Sequence, residues 1–156
     1  MMDWWAVYYS DHQMVSLAIR YAHLAALMVG GGTALAIDRA VLVAARTRAE
    51  EQRRAAFVAM QGSHRVVVPA LVIVTASGAL MAAADWTTFV ESGLFWIKML
   101  TFGLLLINGA VLVAVERAYA KAPELSKWRR VVLASGLSCA LWLVILWIGE
   151  WLTVAA

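Results

Sequence analysis

Long apolar blocks and short polar segments alternate along this chain. The blocks run from Met14 to Ile37, from Ala55 to Ala84, from Gly93 to Val115 and from Val131 to Leu152. A helix of about 20 residues crosses the hydrocarbon core of a bilayer, and a spanning segment must satisfy its own backbone hydrogen bonds. The pattern therefore predicts four transmembrane helices.

The polar segments between the blocks are short, which favours antiparallel packing of successive helices. We expect residues 1–156 to form a single all-α domain, an integral membrane four-helix bundle with up-down-up-down topology. The first residues, MMDWWAVYYSDHQ, lack the basic region that opens a signal peptide. The first block is therefore expected to remain as a helix of the mature protein.

The charged residues indicate how these helices are oriented. The chain is 63% hydrophobic and carries a net charge of +3, but its basic residues are concentrated in the two segments that follow the first and third blocks. They are Arg46, Arg48, Arg53 and Arg54 in one segment, and Arg117, Lys121, Lys127, Arg129 and Arg130 in the other. Because basic loops stay in the cytoplasm, both termini are expected on the outer side of a bacterial inner membrane. The lipid bilayer, and not a nucleic acid, is the partner that this charge distribution indicates.

A few polar residues lie inside the blocks, where a charged side chain costs on the order of 3 kcal/mol at mid-depth. They are Arg20, His23, His64, Arg65, Lys98 and Asn108. The helical rise of about 1.5 Å per residue sorts them by depth. Arg20, His23 and Lys98 fall in an outer layer, which the first and third helices share.

An inner layer is expected around His64, with Asn108 from the third helix and Ser138 or Cys139 from the fourth. Gly30 to Gly32 lie at the same depth on the first helix. Small residues let a neighbouring helix approach closely, which is one interpretation of these glycines. The other is that the edge or face of a porphyrin lies against them, opposite His64.

The histidines are candidate ligands of haem iron, because uncharged imidazole binds iron strongly and a nearby Arg or Lys can neutralise the propionates. His23 is the first candidate, with Arg20 and Lys98 as propionate partners, and His64 is the second, with Arg65 beside it. The two histidines differ in depth, so each layer would hold its own haem, or a homodimer would supply a second ligand. Alternatively, each histidine only hydrogen-bonds a neighbouring helix.

Other residues have simpler interpretations. Gly31, at the centre of the glycine run, is a candidate haem contact on the porphyrin interpretation. Asp38 is expected to pair with the basic segment that follows it. Trp128 is expected at the inner membrane interface, and Trp142 in lipid contact or core packing. No cluster of His, Cys and carboxylate residues indicates a dedicated metal site.

The stretches RYAHLAALMVGG and FWIKMLTFGLLLING resemble a broad group of small bacterial four-helix membrane proteins, which includes the HemJ-type protoporphyrinogen oxidases and the copper-resistance D-like domains. Arg20, His23 and Lys98 match a basic residue, a histidine one turn later and a lysine of a later span in HemJ-type proteins. The resemblance implies b-type haem binding and membrane redox chemistry, and secondly copper handling. The chain lacks the further histidines of a bis-histidine di-haem cytochrome, and a Met-rich or His-rich outer loop.

The leading hypothesis is a haem b protein of the inner membrane that acts in electron transfer or as an oxidoreductase. It would work as a homodimer or as a subunit of a larger membrane complex, with a quinone as a candidate partner. The alternative is a non-catalytic membrane subunit or transporter component, copper handling included, whose polar residues only join helices.

Overall fold

The computed structural model describes residues 3–47 and 49–155, which form helices with no strand among them. The helices of these ranges are α1 (Asp3–Asp11), α2 (Gln13–Thr47), α3 (Glu50–Ala84), α4 (Trp86–Glu91), α5 (Gly93–Lys121) and α6 (Leu125–Ala155). The long helices α2, α3, α5 and α6 are each long and apolar enough to cross a membrane, as in a multi-pass membrane protein. The predicted all-α class with four long apolar helices is confirmed.

The long helices extend beyond the apolar blocks at the ends that carry the basic residues. Helix α3 already begins at Glu50, and α5 continues to Lys121. Alanine, glutamate, lysine and arginine are good helix formers, so the helices continue where the hydropathy falls. As a result Glu116, which the sequence pattern places outside the third span, belongs to α5 and is only 6% exposed.

The four long helices pack in the order α3, α2, α6, α5. Helix α2 contacts both α3 and α6, and α6 also contacts α5, whereas the described parts of α3 and α5 hardly approach each other. Contacts of α2 with α3 pair His23 with Ser77 and Gly30 with Ala70. The weak approach of α3 to α5 leaves a groove between them.

Helix α2 is not uniform, because a π-helical turn, Leu27–Gly31, separates its two α-helical parts. The turn packs against α3, where Gly30 faces Ala70. A Cβ atom added to Gly30 would lie 2.4 Å from the Cβ of Ala70, which is too close for any side chain. Glycine is therefore required at this crossing, and π turns of this kind are frequent at functional sites.

The largest buried cluster lies at the end of the helices that carries the basic segments. Its members are Val41, Ala44, Ala56, Met60, Trp128 and Val131. Trp128, which the sequence predicts near the inner interface, packs into this cluster and is 3% exposed. Helix α6 begins at Leu125, so the tryptophan already lies in a packed helical turn and not in a loop.

At the opposite end, α1 folds against α3. The indole N–H of Trp5 donates a hydrogen bond of 2.9 Å to the carbonyl of Leu80. His12, which links α1 to α2, is exposed and stacks on Tyr8 with ring centroids 4.0 Å apart. It does not join the buried polar residues described below.

Candidate functional site

Two groups of polar residues lie between the long helices, and each draws on all four of them. The His23 cluster consists of His23, Ser77, Gly78, Lys98 and Gly149. The His64 cluster consists of Asp38, His64, Glu116, Ser135 and Ser138. Each cluster contains a histidine that the sequence analysis selected, so the division into two layers corresponds to two separate sites.

Ser77 fixes the orientation of His23. The Nδ1 atom of His23 lies 2.9 Å from Ser77 Oγ, and that hydroxyl lies 2.5 Å from the carbonyl of Ile73. A serine hydroxyl has only one proton to give, and here it is directed at the carbonyl. Nδ1–H of the imidazole therefore donates to Oγ, and Nε2 is left with its lone pair. Histidines that bind metals are commonly held in this way, by a hydrogen bond at the other ring nitrogen.

Two glycines give the polar side chains of this cluster room against the backbone. The Cε1 atom of His23 lies 3.4 Å from the position of a Cβ atom on Gly78, and the Nζ atom of Lys98 lies 3.4 Å from the same position on Gly149. Lys98 is half-buried and close enough to His23 for their charges to interact. One imidazole and one ammonium group thus lie near each other, each against a glycine of a neighbouring helix.

The remaining cations of the predicted layers lie elsewhere. Arg20 is exposed and directs its guanidinium along its own helix, where Nε and Nη2 donate to the carbonyl and hydroxyl of Ser16 at 3.3 and 3.4 Å. Arg65 is exposed on α3. Of the three predicted members of the outer layer, the structure therefore brings together His23 and Lys98.

In the second cluster, a hydrogen bond connects α3 to α5. The Nε2–H group of His64 donates to Oε2 of Glu116 at 2.6 Å, with the carboxylate side chain 7% exposed. This bond crosses the groove where the two helices otherwise hardly approach. Phe57 and Tyr119 cross it as well, with ring centroids 5.0 Å apart.

Asp38 faces the opposite wall of the groove. The residue is 3% exposed, and its carboxylate lies beside the hydroxyls of Ser135 and Ser138 on α6. No hydrogen-bond partner of Oδ2 is present among the described residues. The expected pairing of Asp38 with the basic segment is therefore wrong, because the helix turns this side chain inward, towards α6.

A cavity of about 270 Å³ occupies the groove between α3 and α5. Asp38 and His64 line it together with Ser138 and Trp142, and its remaining walls are mostly aliphatic. The volume is sufficient for several water molecules or a small organic group. The two ionisable residues therefore face a common space that lies within the predicted hydrocarbon layer.

The glycine run and Asn108 connect helices. Gly30 is covered by Ala70, and a Cβ atom on Gly31 would lie 3.1 Å from the ring of Trp142. The side-chain amide of Asn108 donates to the carbonyl of Ala134 at 3.0 Å, in a buried position. The helix-packing interpretation describes these residues, since side chains already cover the first two glycines where a porphyrin would have to lie.

Sequence reasoning missed five residues of these clusters, Ser135 among them. Glu116 was placed outside the third span, because hydropathy falls before the helix ends. Ser77, Gly78 and Gly149 carry no periodic signal, and they become informative only when the side chains opposite them are known. Small residues at the depth of His23 and Lys98 were the one signal in the sequence that could have indicated them.

The donor set of the His23 cluster fits a b-type haem with one axial ligand from this chain. It offers an oriented imidazole with a free Nε2 lone pair and a nearby ammonium group suited to a propionate. The His64 cluster fits less well, because Nε2 of its histidine is engaged by Glu116. The described residues contain no group of three or more His, Cys, Asp and Glu side chains that could hold a metal ion directly.

No protein-family model matches the chain, and no curated protein or solved structure matches it significantly.

Proposed function

We propose that the protein binds haem b through His23 and acts in electron transfer or oxidoreduction in the bacterial inner membrane. The observation that supports this proposal is the orientation of the imidazole by Ser77, which leaves Nε2 available as a ligand. A bound haem supplies one-electron chemistry at its iron. Lys98 would pair with a propionate, and Ser77 acts as a positioning residue for the ligand.

The proposed arrangement in the membrane is an up-down-up-down bundle with both termini outside. The concentration of Lys and Arg in the segments after α2 and α5 supports it. The His23 cluster holds a single histidine, so a second axial ligand would come from a second copy of the chain or from another subunit. We therefore propose a homodimer or a subunit of a larger complex.

Difference spectra test the haem proposal. The protein is produced in haem-replete cells, purified in mild detergent and recorded in its reduced and oxidised forms. We expect a b-type band in the wild type and its loss in His23→Ala, with the exposed His12→Ala as a matched control that keeps it. A colourless wild-type protein would overturn the proposal, and a band that survives in His23→Ala but not in His64→Ala would transfer the ligand role to the second histidine.

A second candidate is a non-catalytic membrane subunit or transporter component. The covering of Gly30 by Ala70 and the bond from Asn108 to Ala134 favour it, because both features only join helices. This candidate predicts a colourless protein that co-purifies with a larger assembly. Copper recovered with the protein, together with a copper-dependent growth phenotype of its deletion, would indicate copper handling instead.

A further inference from the structure

We infer that the groove between α3 and α5 binds a lipophilic organic cation, with Asp38 as the counter-ion. This inference concerns the His64 cluster and does not depend on the haem proposal, which concerns the His23 cluster. It is carried by three properties of the groove, namely its access, its charge and the chemistry of its walls.

Access follows from the packing of the helices. Helices α3 and α5 hardly approach each other along most of their length. The groove therefore has an open side, whereas the pairs α3–α2, α2–α6 and α6–α5 are packed against each other. His64–Glu116 and Phe57–Tyr119 close it at the end near the basic segments. In a membrane, the open side would face the acyl chains, and a ligand dissolved in the bilayer could enter without crossing water.

The charge of the groove is negative. Asp38 lines the cavity and is only 3% exposed. One of its carboxylate oxygens has no hydrogen-bond partner among the described residues. No lysine or arginine lines this cavity in the part of the chain that the structure describes. The hydroxyls of Ser135 and Ser138 lie beside this carboxylate, but a buried oxygen that still lacks a hydrogen bond is costly. The site therefore favours a ligand that brings a positive charge or a strong hydrogen-bond donor.

The walls of the groove select an apolar body for that ligand. Leu71 and Leu105 line the cavity from α3 and α5, and Val67 extends the apolar wall. The ring of Trp142 lies at the cavity opposite the groove opening, and tryptophan is the aromatic residue that attracts cations most strongly. A molecule with one ammonium group and an aromatic or branched apolar body therefore matches the groove.

A quinone matches the groove less well. Its carbonyl oxygens only accept hydrogen bonds, whereas the unpartnered group of the site is itself an acceptor. A cationic nitrogen, by contrast, brings a positive charge next to the buried carboxylate, while the apolar part of the molecule packs against the aliphatic walls. A purely structural contact between α2 and α6 would leave this carboxylate oxygen without a hydrogen-bond partner, whereas a bound cation would compensate its charge.

The test measures binding of a labelled 4-phenylbutyl-trimethylammonium ion to the full chain in nanodiscs of zwitterionic lipid, with empty nanodiscs as the blank. Its neutral isostere, with carbon in place of the quaternary nitrogen, is the matched probe. We expect saturable binding of the cation, no saturable binding of the isostere, and a loss of about ten-fold or more in affinity for Asp38→Asn. The exposed Asp85→Asn is the matched control and keeps wild-type affinity.

A second variant tests the groove without altering its charge. A Cβ atom on Gly109 meets nothing within 4 Å, and this residue lines the cavity. Gly109→Leu is expected to fill the groove and abolish cation binding, whereas Gly103→Leu, at an equally open glycine of α5 outside the cavity lining, retains it. Equal binding of the cation to Asp38→Asn and wild type would overturn the inference, as would equal saturable binding of the neutral isostere.

Discussion

His64 and Glu116 form a hydrogen bond of 2.6 Å between Nε2 and Oε2, and it joins two helices that otherwise hardly touch. The carboxylate is buried and the imidazole is partly exposed towards the groove. The pair therefore acts as a polar connection between α3 and α5 at one end of an apolar cleft. Its loss should affect the association of these two helices more than the packing of the others.

Removing either member of this pair should destabilise the protein. We expect Glu116→Ala to lower the free energy of unfolding by about 2 kcal/mol, because hydrogen bonds to charged groups contribute about 1.5–3 kcal/mol. Denaturant titrations in mild detergent, followed by tryptophan fluorescence, give this value for the single variants and for His64→Ala/Glu116→Ala. A coupling energy near zero in the double-mutant cycle would show that the bond does not stabilise the fold, and the exposed Glu51→Ala is the control.

The crossing of α2 and α3 depends on the absence of a side chain at one glycine. Gly30→Ala would place a methyl group only 2.4 Å from the Cβ atom of Ala70. We expect it to destabilise the protein by about 1–3 kcal/mol, the usual cost of overpacking, and Ala70→Gly in the same chain should restore part of the loss. Gly32→Ala has open space around the new methyl group, so it should leave the unfolding free energy unchanged or raise it slightly. Equal effects of the two substitutions would contradict the close crossing.

The sequence predicts the helices more fully than it predicts the sites. Hydropathy identifies the apolar part of each span, because the bilayer imposes one length and one polarity on all of them. It does not identify the end of a helix, which depends on propensity as well, and so Glu116 was counted as a loop residue.

Depth along a helix explains which site residues were found together. Rise per residue places His23 and Lys98 at one level without knowledge of the fold, and the structure brings them into one cluster. Rotation around the helix and the choice of neighbouring helix cannot be obtained in this way. Arg20 donates to Ser16 one turn earlier in its own helix. The inward turn of Asp38 towards α6 is decided by a packing partner that a single sequence does not identify.

Cysteine accessibility tests the proposed orientation in the membrane. In a Cys139→Ala background, Thr88→Cys lies in the segment expected outside, and Glu51→Cys lies in a basic segment expected in the cytoplasm; both positions are exposed. A membrane-impermeant maleimide should label the first in intact spheroplasts and the second only after permeabilisation. Labelling of both positions in intact spheroplasts would contradict the topology, and the reverse pattern would invert it.

The role of Ser77 can be separated from that of His23 by conservative substitution. Ser77→Ala removes the acceptor of the Nδ1 proton, and the imidazole then loses both its fixed direction and part of its basicity as a ligand. Partners of this kind typically contribute about 10–100-fold to metal affinity, so we expect a loss of haem affinity of about ten-fold and a rise in midpoint potential, because a weaker donor stabilises the oxidised iron less. Ser77→Thr keeps the hydroxyl and should retain most of the wild-type affinity and potential, while Ser138→Ala, a hydroxyl removed from the other cluster, should change neither. A haem affinity and potential in Ser77→Ala equal to those of the wild type would show that the hydrogen bond of 2.9 Å between His23 and Ser77 joins α2 to α3 without positioning a ligand.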